Sequence, residues 1–304
     1  MTQSSESLIG QTVAGVYLKS VLGSGGMADV YLGRHRELDQ DVALKILHAP
    51  VRNDPTLMKQ LQTEAAALVS MQHPNIVKCV DCNVYQGRPY IIMDLLEGIT
   101  LEDRLTYLAD RGLLPALNIV SQVVQAAASA LDYAHQQGIV HRDLKPSNMM
   151  LVSENPEGEL DPTAPLPQDI QVVLTDFGVA RLQDATDQEG LVVGTPDYMS
   201  PEQASGKNAD SPSDIYSLGV VTYRMLAGEV PHKRGNEFWK KLLTAFQNAS
   251  VSDLWDSEPR NLPNTPDHLQ RALRRALQVE PEGRYRRAGD FARRIQAAIS
   301  TAAR

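Results

Sequence analysis

The chain has 304 residues, 42% hydrophobic and 22% charged, which is an ordinary globular composition with too much length for one small core, so two packed lobes are expected. A formal net charge of -8 and a pI near 5.4 argue against a nucleic-acid binder held by bulk electrostatics, and leave open a local basic pocket for an anion. Cys79 and Cys82 are the only cysteines, which excludes a disulfide framework and points to a reducing compartment.

The polar start of the chain lacks the apolar core of a signal peptide, and no run of about 18 apolar residues offers a membrane span. From Val16 to Leu22 a strand is expected, then the turn Gly23-Ser24-Gly25-Gly26-Met27-Ala28, then a strand from Asp29 to Leu32. Glycines let backbone amides approach phosphate oxygens. Alone the signal is weak, but a strand follows where a dinucleotide fold needs a helix, and no G-x-x-x-x-G-K-[ST] string exists, so a hairpin flap over a nucleotide is expected.

In Val42-Ala43-Leu44-Lys45-Ile46-Leu47, alternation puts Ala43, Lys45 and Leu47 on one face and the β-branched and leucine positions on the other. Lys45 is either a cation aimed at a ligand or an edge lysine that reaches water. Asn53-Asp54-Pro55 reads as a helix start. Leu57, Leu61 and Leu68 recur at helical spacing with Glu64 on the same stripe. A carboxylate there needs a partner, for which Lys45 is the candidate, or else it lies at the solvent margin. Strands are expected around Ile76-Val77 and Tyr90 to Met93. Between them, Cys79 and Cys82 are three apart and should face opposite sides of a strand, so neither a metal site nor a bridge is expected.

Ile119, Val120, Val123, Val124, Ala127 and Leu131 set a helix from Pro115 to His135, ending before Gly138. The loop His141-Arg142-Asp143-Leu144-Lys145-Pro146-Ser147-Asn148 follows. Asp143 can accept a proton from an attacking hydroxyl, Lys145 can hold a phosphoryl oxygen, and Asn148 can offer its carbonyl to a divalent cation, the division of labour that phosphoryl transfer needs. After the strand Met149 to Val152, residues 153–169 carry Pro156, Pro162, Pro165 and Pro167 without apolar rhythm and read as an exposed insert, either a loop extension or a partner contact. The strand Ile170 to Thr175 delivers Asp176-Phe177-Gly178, and Asp176 joins Asn148 as an oxygen ligand for magnesium.

Between Gly178 and Gly194 the only hydroxyl is Thr186, the candidate for regulatory phosphorylation, with Arg142 and Arg181 as receiving cations. Gly194 to Gln203 forms a further loop, and Ser213 to Leu226 an apolar helix stopped at Gly228. Asp214, near that helix's start, is expected to cap backbone amides and steady the Arg142 loop. Arginines 271, 274, 275, 286, 287, 293 and 294 either dock an acidic partner or decorate solvated helix faces.

From about Val16 to Ala298 these ordered strings resemble the eukaryotic-type protein kinases: a Gly-rich loop, a V-A-I-K-like strand, H-R-D-L-K-P-x-N, D-F-G and an A-P-E-like end in which Ser200 replaces alanine. Gly25-Gly26-Met27 and Thr195-Pro196-Asp197-Tyr198-Met199-Ser200-Pro201-Glu202-Gln203 look most like the bacterial Ser/Thr branch. The resemblance implies an α+β, bilobal fold. A tail over 1–15 precedes an N-lobe over 16–94, mostly antiparallel β with one main helix. A mostly helical C-lobe over 95–298 holds the 153–169 insert and an activation segment over 176–202, and 299–304 is a tail.

ATP would lie in the cleft between the lobes, against Leu22, Gly23, Ser24, Gly25, Gly26, Met27, Ala28, Val30, Ala43, Lys45, Met93, Asp94 and Leu96. Ala28 stands where a third glycine is frequent, and residues 94–98 would be the hinge. Glu64 would position Lys45, Asp143 and Lys145 would be catalytic, and Asn148 and Asp176 would hold magnesium, with manganese as the alternative. Thr195 would touch Asp143 and Lys145, and Glu202 would pair with Arg284. The Lys145 position implies Ser or Thr acceptors. The expected activity is transfer of the γ-phosphoryl group of ATP to proteins, with autophosphorylation, in bacterial signalling. The expected location is the cytoplasm, as a free chain or as part of a longer anchored one. Protein substrates are expected, nucleic acid and membrane contact within these residues are not, and dimerisation stays open. The alternatives are a pseudokinase scaffold that binds ATP without transfer and a small-molecule kinase.

Overall fold

The computed structural model describes residues 8–26, 28–48, 55–153, 160–167, 170–177, 196–232, 262 and 265–302. They fall into two compact units that part between Leu96 and Glu97.

The first unit is an antiparallel sheet in the order β1-β2-β3-β4-β6-β5, built from β1 (Thr12–Val13), β2 (Val16–Ser24), β3 (Ala28–His35), β4 (Gln40–Leu47), β5 (Cys79–Tyr85) and β6 (Arg88–Asp94), with helix α1 (Pro55–Ser70) packed on β5. Period-two alternation gives the sheet two different faces. Val42, Leu44 and Ile46 join Val16, Leu18, Tyr31, Tyr90 and Ile92 in one buried cluster. Register pairs Val30 with Lys45 and Ala43 with Met93, so Val30, Ala43, Lys45 and Met93 share the other face.

Two local expectations are corrected here. The strand expected around Ile76-Val77 begins only at Cys79, because the Ile76 N–H turns back to donate to His73 O at 3.1 Å. A bulge between Cys79 and Asp81 places Cys79 opposite Met93 and Cys82 opposite Ile91. Partners two apart point the same way, so the bulge puts both thiols on one face rather than opposite faces. Both cysteines are buried and unbridged, and burial pushes each thiol up to about 12, which leaves little reactive thiolate. Among the described residues no group of three or more His, Cys, Asp or Glu side chains could hold a metal ion.

Helix α1 begins at Pro55 and buries Leu61, Ala65 and Leu68 along one stripe. Its expected capping residues, Asn53 and Asp54, lie outside the described residues. Glu64 is half-buried on this helix, near enough to Cys82 for its charge to add to the rise in the thiol's pKa.

The second unit holds the sheet β7-β8-β9 (Gly98–Thr100, Met149–Ser153, Ile170–Leu174) and the helices α2 (Leu101–Ala109), α3 (Leu117–Gln136), α4 (Pro201–Ala204), α5 (Ser211–Ala227), α6 (Asp267–Ala276) and α7 (Ala288–Ala302). Helix α3 is its centre: Val120, Val123, Val124, Ala127, Ala130, Leu131 and Ala134 are fully buried, and the small side chains let α5, α7 and β9 pack closely on it. Asp132 of α3 accepts from the backbone N–H groups of Ala288 and Gly289 at 2.9 and 3.2 Å, capping the start of α7. Helix α5 starts at the capping residue Asp210 and stops at Gly228, whose φ of 77° is the left-handed conformation that glycine tolerates best.

Within the insert, residues 160–167 have a defined course although they bury little apolar surface. Asp161 Oδ1 accepts from Thr163 N–H at 2.7 Å, and Arg104 of α2 donates to the carbonyls of Pro162 and Ala164 at 2.5 and 2.8 Å. Hydrogen bonds rather than a core fix this segment. No helix among the described residues is long and apolar enough to cross a membrane.

Candidate active site

The loop from His141 to Asn148 closes on itself through polar contacts. Lys145 Nζ donates to Asp143 Oδ2 at 2.8 Å, while Asn148 Nδ2 donates to Asp143 O at 2.8 Å and to Asp143 Oδ2 at 3.1 Å. Asp143 is therefore held by a cation and an amide, and with both amide protons of Asn148 committed, its Oδ1 remains for another acceptor role. Thr175 N–H donates to Asn148 O at 3.0 Å and β8 pairs Met149 with Leu174, so Asn148 and Asp176 lie at the same end of the β8-β9 ladder. Arg142 and Asp176 have φ of 66° and 65°, left-handed backbone at non-glycine residues, a cost that surrounding contacts must offset.

Those contacts start from Asp214. Its Oδ2 accepts from His141 N–H and its Oδ1 from Arg142 N–H, each at 2.8 Å, and His135 Nε2 stands 2.7 Å from Oδ2. Complete burial would raise the Asp214 pKa, but the His135 hydrogen bond and charge, with the His141 contacts, hold it below the usual carboxylate range. Asp214 thus caps the amides of the distant loop, while the amides of its own helix fall to Asp210. His141 Nε2 donates to Thr175 O at 2.9 Å while Nδ1 accepts from Asp143 N–H at 3.3 Å, which assigns the neutral Nε2–H ring. The same ring packs against Phe177, centroids 4.5 Å apart. Gln203 Nε2 donates to Arg142 O at 2.6 Å, which ties α4 to the loop.

Ser200, buried, replaces a methyl group with a cap. Its Oγ accepts from Gln203 N–H, and Gln203 Oε1 accepts from Ser200 N–H, forming a capping box at the start of α4. One residue into that helix, Glu202 receives both Arg284 Nη1 and Nη2, at 2.6 and 2.7 Å, and the Ser213 hydroxyl at 2.6 Å. Arg284 is fully buried and donates as well to the carbonyls of Gln278, Val279 and Pro212. Burial pushes the Glu202 pKa up and the guanidinium more than reverses it, for a net fall. Upstream, Tyr198 is fixed by Arg224, which also grips Glu102 with both nitrogens at 2.6 and 2.7 Å.

In the first unit, β2 and β3 form the expected hairpin, closed by Gly25 N–H to Ala28 O at 3.0 Å. Leu22 and Gly23 to Gly26 are exposed, whereas Ala28, Ala43, Lys45 and Met93 are buried and Val30, Asp94 and Leu96 half-buried. Sequence reading overlooked a polar cluster beneath the turn. Ser24 Oγ donates to Asp29 Oδ1 at 2.5 Å, His48 Nε2 lies 3.0 Å from Asp29 Oδ2, and His48 Nδ1 lies 3.3 Å from Gly26 O. A carboxylate and a carbonyl only accept, so each of these contacts calls on the ring as a donor. A histidine at the end of the lysine strand was its one sequence signal. Burial and the Asp29 charge also push the Tyr31 phenol up to about 12. Met27, Thr186 and Thr195 lie outside the described residues.

The protein kinase domain family matches residues 17–293, and the chain belongs to it. Serine/threonine-protein kinase Pkn1 of Myxococcus xanthus is 35% identical over 305 aligned positions, covering 99% of this chain and 40% of that protein. Serine/threonine-protein kinase PknF of Mycobacterium tuberculosis is 34% identical over 293 positions, 94% of this chain and 56% of its own length. The chain thus spans about half the length of the curated relatives it matches. Among solved structures, the kinase domain of Mycobacterium tuberculosis PknI has a TM-score of 0.69 at 27% identity, covering 95% of this chain and 98% of that one. Kinases of this family use ATP and magnesium and act on proteins.

Proposed function

We propose that this chain is a serine/threonine protein kinase that transfers the γ-phosphoryl group of ATP to protein hydroxyls and to itself. The observation that carries the reading is the Asp143-Lys145-Asn148 constellation, a carboxylate held by an ammonium and an amide on a loop braced through Asp214. Asp143 aligns the acceptor hydroxyl and takes its proton as the oxygen bonds to the γ-phosphorus and the bond to the β-phosphate oxygen breaks. Lys145 steadies the group in transit. Lys45, positioned by Glu64, holds the α- and β-phosphates, Gly23 to Ala28 cover them, and Ala43, Met93, Asp94 and Leu96 receive the adenine. General-base help contributes about 10²- to 10⁴-fold, so positioning and charge stabilisation must supply most of the acceleration.

The uncommitted Asn148 Oδ1 and the Asp176 carboxylate, at one end of the β8-β9 ladder, are hard oxygen donors that suit magnesium. When bound, the ion offsets the charge that develops on the phosphates. On the family resemblance we assign Thr195 a role toward Ser/Thr acceptors and Thr186 the regulatory phosphorylation. A cytoplasmic setting follows from the ATP substrate. The pseudokinase alternative gains no support, since Lys45, Asp143, Asn148 and Asp176 are all present.

Incubating the pure chain with Mg-ATP and measuring its intact mass tests the reading. Added phosphates that disappear in Asp143→Asn and fall in number in Thr186→Ala support it. No phosphate on the chain or on any protein acceptor overturns it.

A further inference from the structure

The segment from Asp267 to Ala302 carries arginine at eight positions and lysine at none, in a chain whose net charge is -8. Two adjoining hollows open along α6, α7 and the segment joining them, with volumes of about 630 and 370 Å³. Arg275, Tyr285, Arg294 and Ala297 line both. The smaller hollow is extended by Arg271, four residues before Arg275 and hence on the same helix face, and the larger by Arg286. Small side chains keep the groove open, and the Arg275 guanidinium stacks 4.6 Å from the Tyr285 ring centre.

Several neighbouring arginines have other work. Arg284 belongs to Glu202, Arg287 to Asp132 and Arg293 to Asp290. Arg271, Arg286 and Arg294 are exposed and form no ion pair with any described residue. The α6 dipole would favour cations at 274 and 275, in its last turn, but does not account for 271, 286 or 294. Glu282 and Asp290 also line the larger hollow, and Arg293 offsets Asp290, so the groove keeps an excess of positive charge.

We infer that this groove between α6 and α7 docks a peptide through a phosphorylated serine or threonine. A guanidinium is a planar fork that meets phosphate oxygens two at a time, and a phosphate dianion has three such oxygens to share among several arginines, where a carboxylate has two. The identity of the ligand rests on the proposed kinase activity, because phosphorylated side chains are that reaction's product. The groove then retains an acceptor that already carries one phosphate and favours a second transfer to it.

The test is fluorescence anisotropy on the full chain without ATP, using a synthetic phosphothreonine peptide, its threonine counterpart, and inorganic phosphate as competitor. The phosphopeptide is expected to bind at least tenfold tighter than its counterpart, and inorganic phosphate to compete only at far higher concentration. Arg271→Gln with Arg294→Gln should abolish the preference at unchanged melting temperature, with Arg286→Gln alone giving a partial loss. Asp143→Asn should bind like the wild type, which separates this result from any failure of phosphoryl transfer. Equal binding of both peptides, equal competition by inorganic phosphate, or a preference that survives the double substitution would overturn the proposal.

Discussion

The loop around Asp143 and the hairpin around Gly25 are proposed to serve one reaction, yet they are built in opposite ways. In the loop, the backbone amides of His141, Arg142 and Asp143 and the side chains of His141, Lys145 and Asn148 are all tied within the protein, and a buried carboxylate 72 residues away secures the two amides nearest the strained Arg142. In the hairpin, Gly23 to Gly26 are exposed, and a half-exposed histidine and one aspartate supply the side-chain support. The contrast separates two physical demands. A base must already be in place when its proton arrives, since misplacement by about 1 Å can cost 10²-fold, whereas a phosphate cover must admit and release a nucleotide.

Substitutions can break or sharpen that contrast. The largest effect is expected for Asp143→Asn, with a fall of about 10²- to 10⁴-fold in kcat and little change in melting temperature. Removing a brace should cost fold as well as rate. Glu202→Ala leaves the Arg284 guanidinium buried without its carboxylate, and urea denaturation should show a loss of about 3 to 5 kcal/mol. Asp214→Ala orphans two loop amides, and a loss of about 2 to 4 kcal/mol should come with a fall in kcat larger than any change in KM for ATP. On the hairpin side the effect should be smaller and of the other kind. His48→Gln is expected to raise KM for ATP about tenfold, or about 1.4 kcal/mol, at nearly unchanged kcat.

Acid should strike the braced loop first. Asp214 and Glu202 both titrate below the ordinary carboxylate range when folded, so each contributes stability that is complete above about pH 4 and is lost as the pH falls through its lowered folded pKa. Melting temperature measured from pH 6 downward should drop steeply below about pH 4, and less steeply in Glu202→Gln.

What the sequence made legible was local. The glycine turn, the alternating strand with Lys45, the apolar stripe of α3 and the His141 to Asn148 string are short patterns, and propensity and spacing suffice to read them. What it hid depends on one extra residue or on distant partners. A single bulge in β5 reverses the side Cys79 faces relative to Cys82. Asp214 was legible as a capping residue near a helix start, but His135 as its partner was not, since they are 79 positions apart. Arg104 orders residues of a proline-rich insert that composition alone marks as loose. His48 reaches Asp29 only because the hairpin folds its turn back beside the end of β4.

The most direct measurement compares wild type and Asp143→Asn in two assays, ATP binding by calorimetry and transfer of labelled γ-phosphate to a serine or threonine acceptor protein. The account predicts similar ATP affinity and transfer at least a hundredfold slower in the variant. Equal transfer rates in the two proteins, or no transfer by the wild type to any acceptor, would contradict it.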